Sequence, residues 1–362
     1  MSEIKILHVI ARMNVGGTAR YIENLISEIP NSTLATGSVQ GSEIEAYNLD
    51  EERIIRIKHL GRKISPINDL LSGYELWKVL RELKPDIVHT HTFKAGLIGR
   101  LVPGKFKRVH TFHGHLFGDQ AFSNLEKFIV TLTERFLAKR TDVLISVGKR
   151  VGIELREAGI GKNKHWISIS PGVQPLSLVD KFEARKILNL ELDPFLVGWM
   201  ARMTGVKNPS LLLEVARELP EVRFVMAGGG DLLEEIKEKG TENVRVVGWV
   251  EAAVFWSAVD CAISTSDNEG MPIALIEAQL AGIVTIATNV GSNGEVVENG
   301  VTGLITEKDA KSLATSLKSI LENPQDFNAM SQAALEISPG KFSMEVMINN
   351  HLSLYMHLIG EI

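Results

Sequence analysis

Short apolar runs of strand length alternate with amphipathic stretches along most of this chain. Residues 4–10 (IKILHVI) form one such run, and after a loop at 12–18 the residues Tyr21, Leu25 and Ile26 recur at helical spacing. The alternation predicts strands at 33–39 and 53–57, a helix over 68–83, and a strand over 85–91 that enters a turn. A strand around 109–113, an amphipathic helix over 121–140, a strand at 142–146 and a helix after Lys149 follow. Beyond the Pro/Gly-punctuated segment 171–175 the pattern starts again, with strands at 195–201, 222–227, 244–247 and 259–264. Helices are predicted there at 209–218, 232–239 and 309–321, and a long apolar-periodic helix over 342–358 closes the pattern. Such strand–helix order predicts an α/β fold with two doubly wound parallel sheets. Ligands of such sheets sit at the carboxyl ends of the strands.

Those ends carry the candidate chemistry. After the strand at 259–264 come residues 267–277 (DNEGMPIALIE), where Ile273, Leu275, Ile276 and then Leu280 keep helical spacing until Gly282 stops the helix. Pro272 suits the first turn, where its missing N–H costs nothing. Backbone N–H groups around Gly270, Met271 and Ile273 then point out of the helix start, a ready place for negatively charged oxygens. Glu269 in the loop and Glu277 inside the helix flank that place, about 12 Å apart by helix rise. That is too far to serve one atom and suits two hydroxylated parts of a long, phosphate-containing ligand. A plainer reading makes Glu269 a helix cap and Glu277 a solvated surface acid. Arg202 and Lys207 follow the strand at 195–201, and cations at a helix start oppose the macrodipole unless an anion answers them. Gly16 and Gly17 follow the first strand. Gly228, Gly229 and Gly230 follow the strand at 222–227, without the GxGxxG spacing of dinucleotide folds.

Composition narrows the class further. The 362 residues are 44% hydrophobic and 23% charged, an ordinary globular balance long enough for two domains. The single cysteine, Cys261, lies in an apolar run, which excludes an intrachain disulfide and suits a buried, inert thiol in a reducing, cytoplasmic setting. No apolar run has the length of a membrane span, and the opening residues lack a signal-peptide layout. The net charge of −5 hides an asymmetry: residues 1–175 carry 25 Lys+Arg against 18 Asp+Glu, and residues 176–362 carry 14 against 26. A basic half and an acidic half suggest two units with different partners, and the absence of any nucleic-acid motif disfavours nucleic acid as one of them. His89 and His91 alternate onto one strand face, with His110, His113 and His115 on the next strand and its loop. No Asp, Glu or Cys completes a metal set there, so no metal is expected.

The stretch EGMPIALIEAQLAG, with Ser266 ahead of it and TIATNVGSNGEVVENGVTGLI after it, resembles the E-x7-E region of family 4 retaining glycosyltransferases, which have the GT-B fold. The likeness covers nearly the whole chain. It takes in Gly16 and Gly17, PDIVHTH at 85–91, the T-x-H-G-like run ending in His113 and Gly114, the hinge-like PGV at 171–173 and the R-x4-K pair Arg202 and Lys207. The resemblance implies two Rossmann-like domains, 1–172 and 173–341, facing across a cleft, with a C-terminal helix over 342–362 crossing back to the first. It implies sugar transfer, hexosyl or N-acetylhexosaminyl, from a UDP- or GDP-sugar with retention and without metal or cofactor. The implied acceptor is a glycan or a lipid-linked glycan of cell-surface polysaccharide or glycoconjugate synthesis. Arg202 and Lys207 would then grip the leaving diphosphate, Glu269 the sugar hydroxyls and Glu277 the ribose, with His113 lining the sugar site. Gly16, Gly17, Gly228, Trp249, Val250, Gly270, Met271, Pro272 and Ile273 would contact the donor. Departures from the family pattern at Ser170, Pro171, Thr265 and Val284 are modest, and those at Thr265 and Val284 are expected to loosen neighbouring loops without touching a ligand.

Other functions also fit parts of this pattern. A hydrolase using Glu269 and Glu277 as acid and nucleophile needs carboxyls about 5 Å apart, which the helix spacing disfavours. A sugar-nucleotide epimerase of the same fold stays open, as does a non-catalytic nucleotide-sugar binder, although a binder is expected to lose Arg202 or Glu277. The helix at 121–140 also has two readings. Phe122, Leu125, Phe128, Ile129, Leu132 and Phe136 face the sheet while Lys127, Arg135, Lys139 and Arg140 are merely solvated, or stripe and cations together dock on an anionic leaflet. Lys105, Lys107 and Arg108 lie just upstream. Docking would put the first domain in peripheral contact with the inner face of the cytoplasmic membrane.

Overall fold

The computed structural model describes residues 4–39, 45, 47–61, 65–114 and 123–360, and the candidate positions His115 and Phe122 lie outside them. The described residues form two compact units. One holds the chain up to Gly172 together with the residues from Met344 onward, and the other is Val173–Ser343.

The first unit is built on a seven-stranded parallel sheet. Its strands are β1 Ile6–Ile10, β2 Ser32–Thr36, β3 Ile54–Arg56, β4 Ile87–His91, β5 Lys107–Phe112, β6 Val143–Ser146 and β7 His165–Ser168, lying in the order β3-β2-β1-β4-β5-β6-β7. The helices α1 Gly17–Glu28, α2 Pro66–Leu83, α3 Thr92–Leu101, α4 Asn124–Ala138 and α5 Lys149–Glu157 connect them. α1 buries Tyr21, Ile22, Leu25 and Ile26, the stripe visible in the sequence. α3 carries no such stripe: it buries Gly96, Gly99 and Arg100, small and charged residues that hide it from periodicity.

α4 corrects one of the two readings of its segment. Leu125, Phe128, Ile129, Leu132 and Phe136 are between 49% and 67% exposed, so the stripe does not face the sheet. The reason is an ion pair. Arg100 Nη2 of α3 donates to both Glu134 carboxylate oxygens at 2.7 and 2.8 Å, and both side chains are buried. Leaving either charge alone in the interior would cost several kcal/mol, so Glu134, with Leu137 and Ala138, decides which face turns inward. A capping box between Ser123 and Glu126 starts the helix. The last helix, Met344–Ile359, lays Met347, Ile348, His351, Leu354 and Tyr355 into this same unit.

The second unit has a six-stranded parallel sheet: β8 Leu196–Met200, β9 Arg223–Ala227, β10 Val244–Gly248, β11 Cys261–Ser264, β12 Val284–Thr288 and β13 Gly303–Thr306, in the order β10-β9-β8-β11-β12-β13. Leu211, Leu212, Val215, Leu313 and Leu317 of the helices Pro209–Glu218 and Ala310–Glu322 cover one face. Trp256 and Ala278, from the helices Ala252–Ala258 and Ile273–Leu280, pack in the cluster on the other. Cys261 is buried in β11, and that burial pushes its thiol pKa up, as an inert residue requires. No helix among the described residues is long and apolar enough to cross a membrane.

Candidate active site

β8 and β11 are neighbours in the second sheet, yet β8 leads to strands on one side and β11 to strands on the other. Such a switch point opens a crevice beyond the carboxyl ends of the two strands. Arg202 and Lys207 leave β8, and Glu269 and the helix start leave β11. Arg202 is exposed. Lys207 Nζ donates to Glu269 Oε1 at 2.5 Å, and Ser266 Oγ donates to the same oxygen at 2.7 Å. Glu269 itself is only 8% exposed. Gly291, at φ +47°, explains how the next loop closes on it: a Cβ there would stand 1.8 Å from the Glu269 carbonyl oxygen.

The helix after Glu269 begins one residue later than expected. Pro272, at φ −80° and ψ 98°, is the residue before the first turn rather than part of it, and its carbonyl accepts from Leu275 and Ile276 at 3.1 Å each. Among the described residues no side-chain cap bond is made at this helix's N-cap, Pro272, so Glu269 does not cap it and the first-turn N–H groups stay directed outward. Gly270 and Met271 lead into that turn, with Met271 buried. Glu277 is 4% exposed and accepts a 3.4 Å bond from Trp256 Nε1, which rules out a solvated surface acid.

The neighbouring strand ends complete the arc. A Cβ on Gly228 would lie 2.0 Å from the Ala201 carbonyl oxygen, so only glycine lets the loop after β9 lie against the end of β8. Trp249, 62% exposed beyond β10, holds its indole over Gly229, and Val250 is half-buried beside it. One departure from the family pattern, Thr265, does not behave as expected. Thr265 is buried, accepts from Trp199 Nε1 at 2.9 Å, and donates toward the carbonyls of Lys207 and Asn208 at 3.1 and 2.9 Å. Val284 is a buried strand residue paired with Cys261.

The other three candidates stand in the first unit. Gly16, at φ +150°, precedes α1, whose first residue is Gly17. His113 follows β5 and belongs to a network that sequence reasoning did not assemble. His113 Nε2 pairs with His91 Nδ1 at 3.2 Å, and His91 Nε2 with His8 Nδ1 at 3.1 Å. His89 bonds Tyr355 and Thr111, both at 2.6 Å, and Tyr21 bonds His351 at 2.9 Å. Burial pushes these imidazoles toward the neutral form, His8 and His113 to about 3 and His351 to about 4, with His89, His91 and His110 also well below the usual range. His8, His89 and His91 each bring one nitrogen within 4.8 Å of the others. Both nitrogens of His89 and of His91 already have protein partners, so the group is a hydrogen-bond network first. The i, i+4 spacing of His351 and Tyr355 among the apolar positions of the last helix is the signal in the sequence that points to it.

Two doubly wound parallel sheets in one chain, with candidate polar residues gathered at the carboxyl ends of their strands, define the GT-B class. The family model described as Glycosyltransferase Family 4 matches residues 15–175, and the one described as Glycosyl transferases group 1 matches residues 180–336. The chain belongs to the family 4 glycosyltransferases. It is 27% identical to the UDP-Gal:alpha-D-GlcNAc-diphosphoundecaprenol alpha-1,3-galactosyltransferase of Escherichia coli, over 99% of this chain and 98% of that one. It is also 27% identical to an O-antigen biosynthesis glycosyltransferase of Escherichia coli, over 97% and 98% of the two chains. Among solved structures it resembles Anabaena HepE in complex with UDP and glucose, with a TM-score of 0.82 and 18% identity over 97% of this chain and 99% of that one.

Proposed function

We propose that this glycosyltransferase moves a hexosyl or N-acetylhexosaminyl group from a UDP- or GDP-sugar to a glycan or lipid-linked acceptor of cell-surface polysaccharide or glycoconjugate synthesis. Transfer proceeds with retention at the anomeric carbon and needs no metal or cofactor. The observation that carries this reading is the Lys207–Glu269 pair at the β8/β11 switch point, next to an uncapped helix start. A sugar nucleotide carries anionic phosphate and neutral hydroxyls on adjacent groups, so a site for it wants a cation and a carboxylate side by side. Lys207 and Arg202 stabilise the charge that builds on the departing diphosphate, where fixed cations act most strongly. Glu269 accepts from sugar hydroxyls and Glu277 from the ribose, while N–H groups of Gly270, Met271 and Ile273 meet sugar and phosphate. Trp249, Val250 and Gly228 serve the nucleotide end, and Gly16, Gly17 and His113 keep the donor-contacting roles that the family resemblance implies.

Glu269 is engaged by Lys207 and Ser266 rather than free to attack the anomeric carbon as a covalent nucleophile. The acceptor oxygen therefore attacks on the face the diphosphate leaves: the anomeric C–O bond to phosphate breaks, the new C–O bond forms, and the acceptor proton passes to the leaving phosphate oxygen. The exposed stripe of α4 favours a lipid-linked acceptor, with the protein docked peripherally on an anionic leaflet. Beneath α4 lies a largely apolar cavity of about 330 Å³, lined by Phe93, Phe112, Val130, Leu155, Ile160 and His113 among others, and it fits the same reading. A panel of UDP-, GDP- and ADP-sugars screened by thermal shift tests the donor. One UDP- or GDP-sugar at a hundred times its Kd should add about 2.7 kcal/mol, and a protein unmoved by every sugar nucleotide would contradict the proposal.

A further inference from the structure

We propose that the Thr265 hydroxyl is the positioning group for Lys207, fixing the turn that carries the ammonium and with it the Lys207–Glu269 pair; the inference rests on the transferase reading above. After β8 the chain runs through Arg202 into the single turn Gly205–Lys207, which no strand or long helix places. Bonds from the segment after β11 hold it instead. Asp267 N donates to the Val206 carbonyl at 2.8 Å, and Asn208 Nδ2 donates to Asp267 Oδ1 at 3.1 Å. Thr265 Oγ1 supplies the interior hold, reaching the carbonyls of Lys207 and Asn208 at 3.1 and 2.9 Å.

The direction of that hydroxyl is itself determined. A threonine oxygen has one proton to give and two lone pairs to receive. Trp199 Nε1, from within β8, donates to it at 2.9 Å, so the one proton is left for the two carbonyls of the turn. Asn208 sits at φ +47° and ψ 58°, a left-handed conformation that persists in a non-glycine residue when its surroundings hold it. Four residues beyond Thr265 stands Glu269, which Lys207 meets at 2.5 Å. One hydroxyl thus ties β8, the lysine turn and the segment bearing the carboxylate. Proline, the usual residue of the family pattern at this position, has no hydroxyl, so this tie is a property of this chain.

Thr265→Val keeps the shape and removes the O–H, while Thr265→Ser keeps the O–H. With an accepted sugar nucleotide, Thr265→Val should lower kcat about tenfold through misplacement of Lys207, with little change in donor KM. Thr265→Ser should stay close to wild type. The valine also leaves the Trp199 N–H unpaired, so Trp199→Phe/Thr265→Val separates the roles: it should recover melting temperature while kcat stays low. Hydrogen exchange gives a readout without substrate, since the amides of Lys207 and Asn208 should exchange faster in Thr265→Val than in wild type or Thr265→Ser. A folded Thr265→Val with kcat within twofold of wild type overturns the proposal, and so does a serine variant as impaired as the valine one. A wild-type protein that turns over no sugar nucleotide counts against the transferase reading alone, and the amide exchange then decides on Thr265.

Discussion

Lys207 and Arg202 look equivalent in the sequence, but the structure gives them different physics. Lys207 is half-buried against Glu269, so removing it strands a carboxylate that is nearly out of water, and lost stability then mixes with lost function. Arg202 is exposed, which makes it the cleaner probe. Arg202→Ala should lower kcat about a hundredfold, roughly 3 kcal/mol of transition-state stabilisation, while stability stays within about 0.5 kcal/mol. Steady-state kinetics beside a denaturant melt checks both, and turnover within twofold of wild type would remove Arg202 from the mechanism. Residue types at strand ends were legible in the sequence: the two cations, Glu269, Glu277 and the helix start all stand at the carboxyl ends of the second sheet. Their partners were not. Thr265 reads as a departure from a pattern because a hydroxyl's role depends on which carbonyls the fold brings to it. His8, His351 and Tyr21 join His89, His91 and His113 only through pairings distant in sequence.

Elements were legible where an apolar stripe is complete. α1, the helix Pro209–Glu218 and the last helix follow their periodicity closely. α3, β7, β13 and the helices Lys181–Ile187 and Pro324–Ile337 carry mixed faces or half-exposed strands, and no period marks them. α4 shows the opposite case, a clear stripe that the fold turns outward because Glu134 must meet Arg100. If that stripe docks on a leaflet, each nearby cation adds about 1 kcal/mol to the attachment. Wild type should co-sediment with anionic vesicles at low salt and release as salt rises. Phe128→Asp/Leu132→Asp should stay in the supernatant, with each change altering stability by only about 0.5 kcal/mol, since both positions are exposed. Equal recovery of wild type in the supernatant with and without anionic vesicles would end the docking proposal and leave the transferase assignment untouched.

The whole molecule is asymmetric in charge and in titration. The nine described histidines fall in the first unit; His8, His89, His91, His110 and His351 are buried and His113 is half-buried, and all six have lowered pKa values. An unfolded chain protonates its histidines near pH 6.5, whereas the folded unit keeps His8 and His113 neutral down to about 3 and His351 to about 4. The unfolded state therefore binds more protons as pH falls below that value. Stability is complete above it and declines on acidification, by up to about 1.4 kcal/mol per pH step for each such group. Calorimetry between pH 7 and 5 should show the first unit's transition falling while that of the histidine-free second unit holds, and parallel loss in both would contradict the linkage. Retention and metal independence can be read together in a single reaction. The protein is incubated with EDTA, the sugar nucleotide that stabilises it and an acceptor, and the anomeric configuration of the new linkage is read by NMR. Retaining, metal-free transfer should leave the rate undiminished and give a product of the same anomeric configuration as the donor; an inverted linkage, or activity that vanishes with chelator and returns with Mn²⁺ or Mg²⁺, would rule it out.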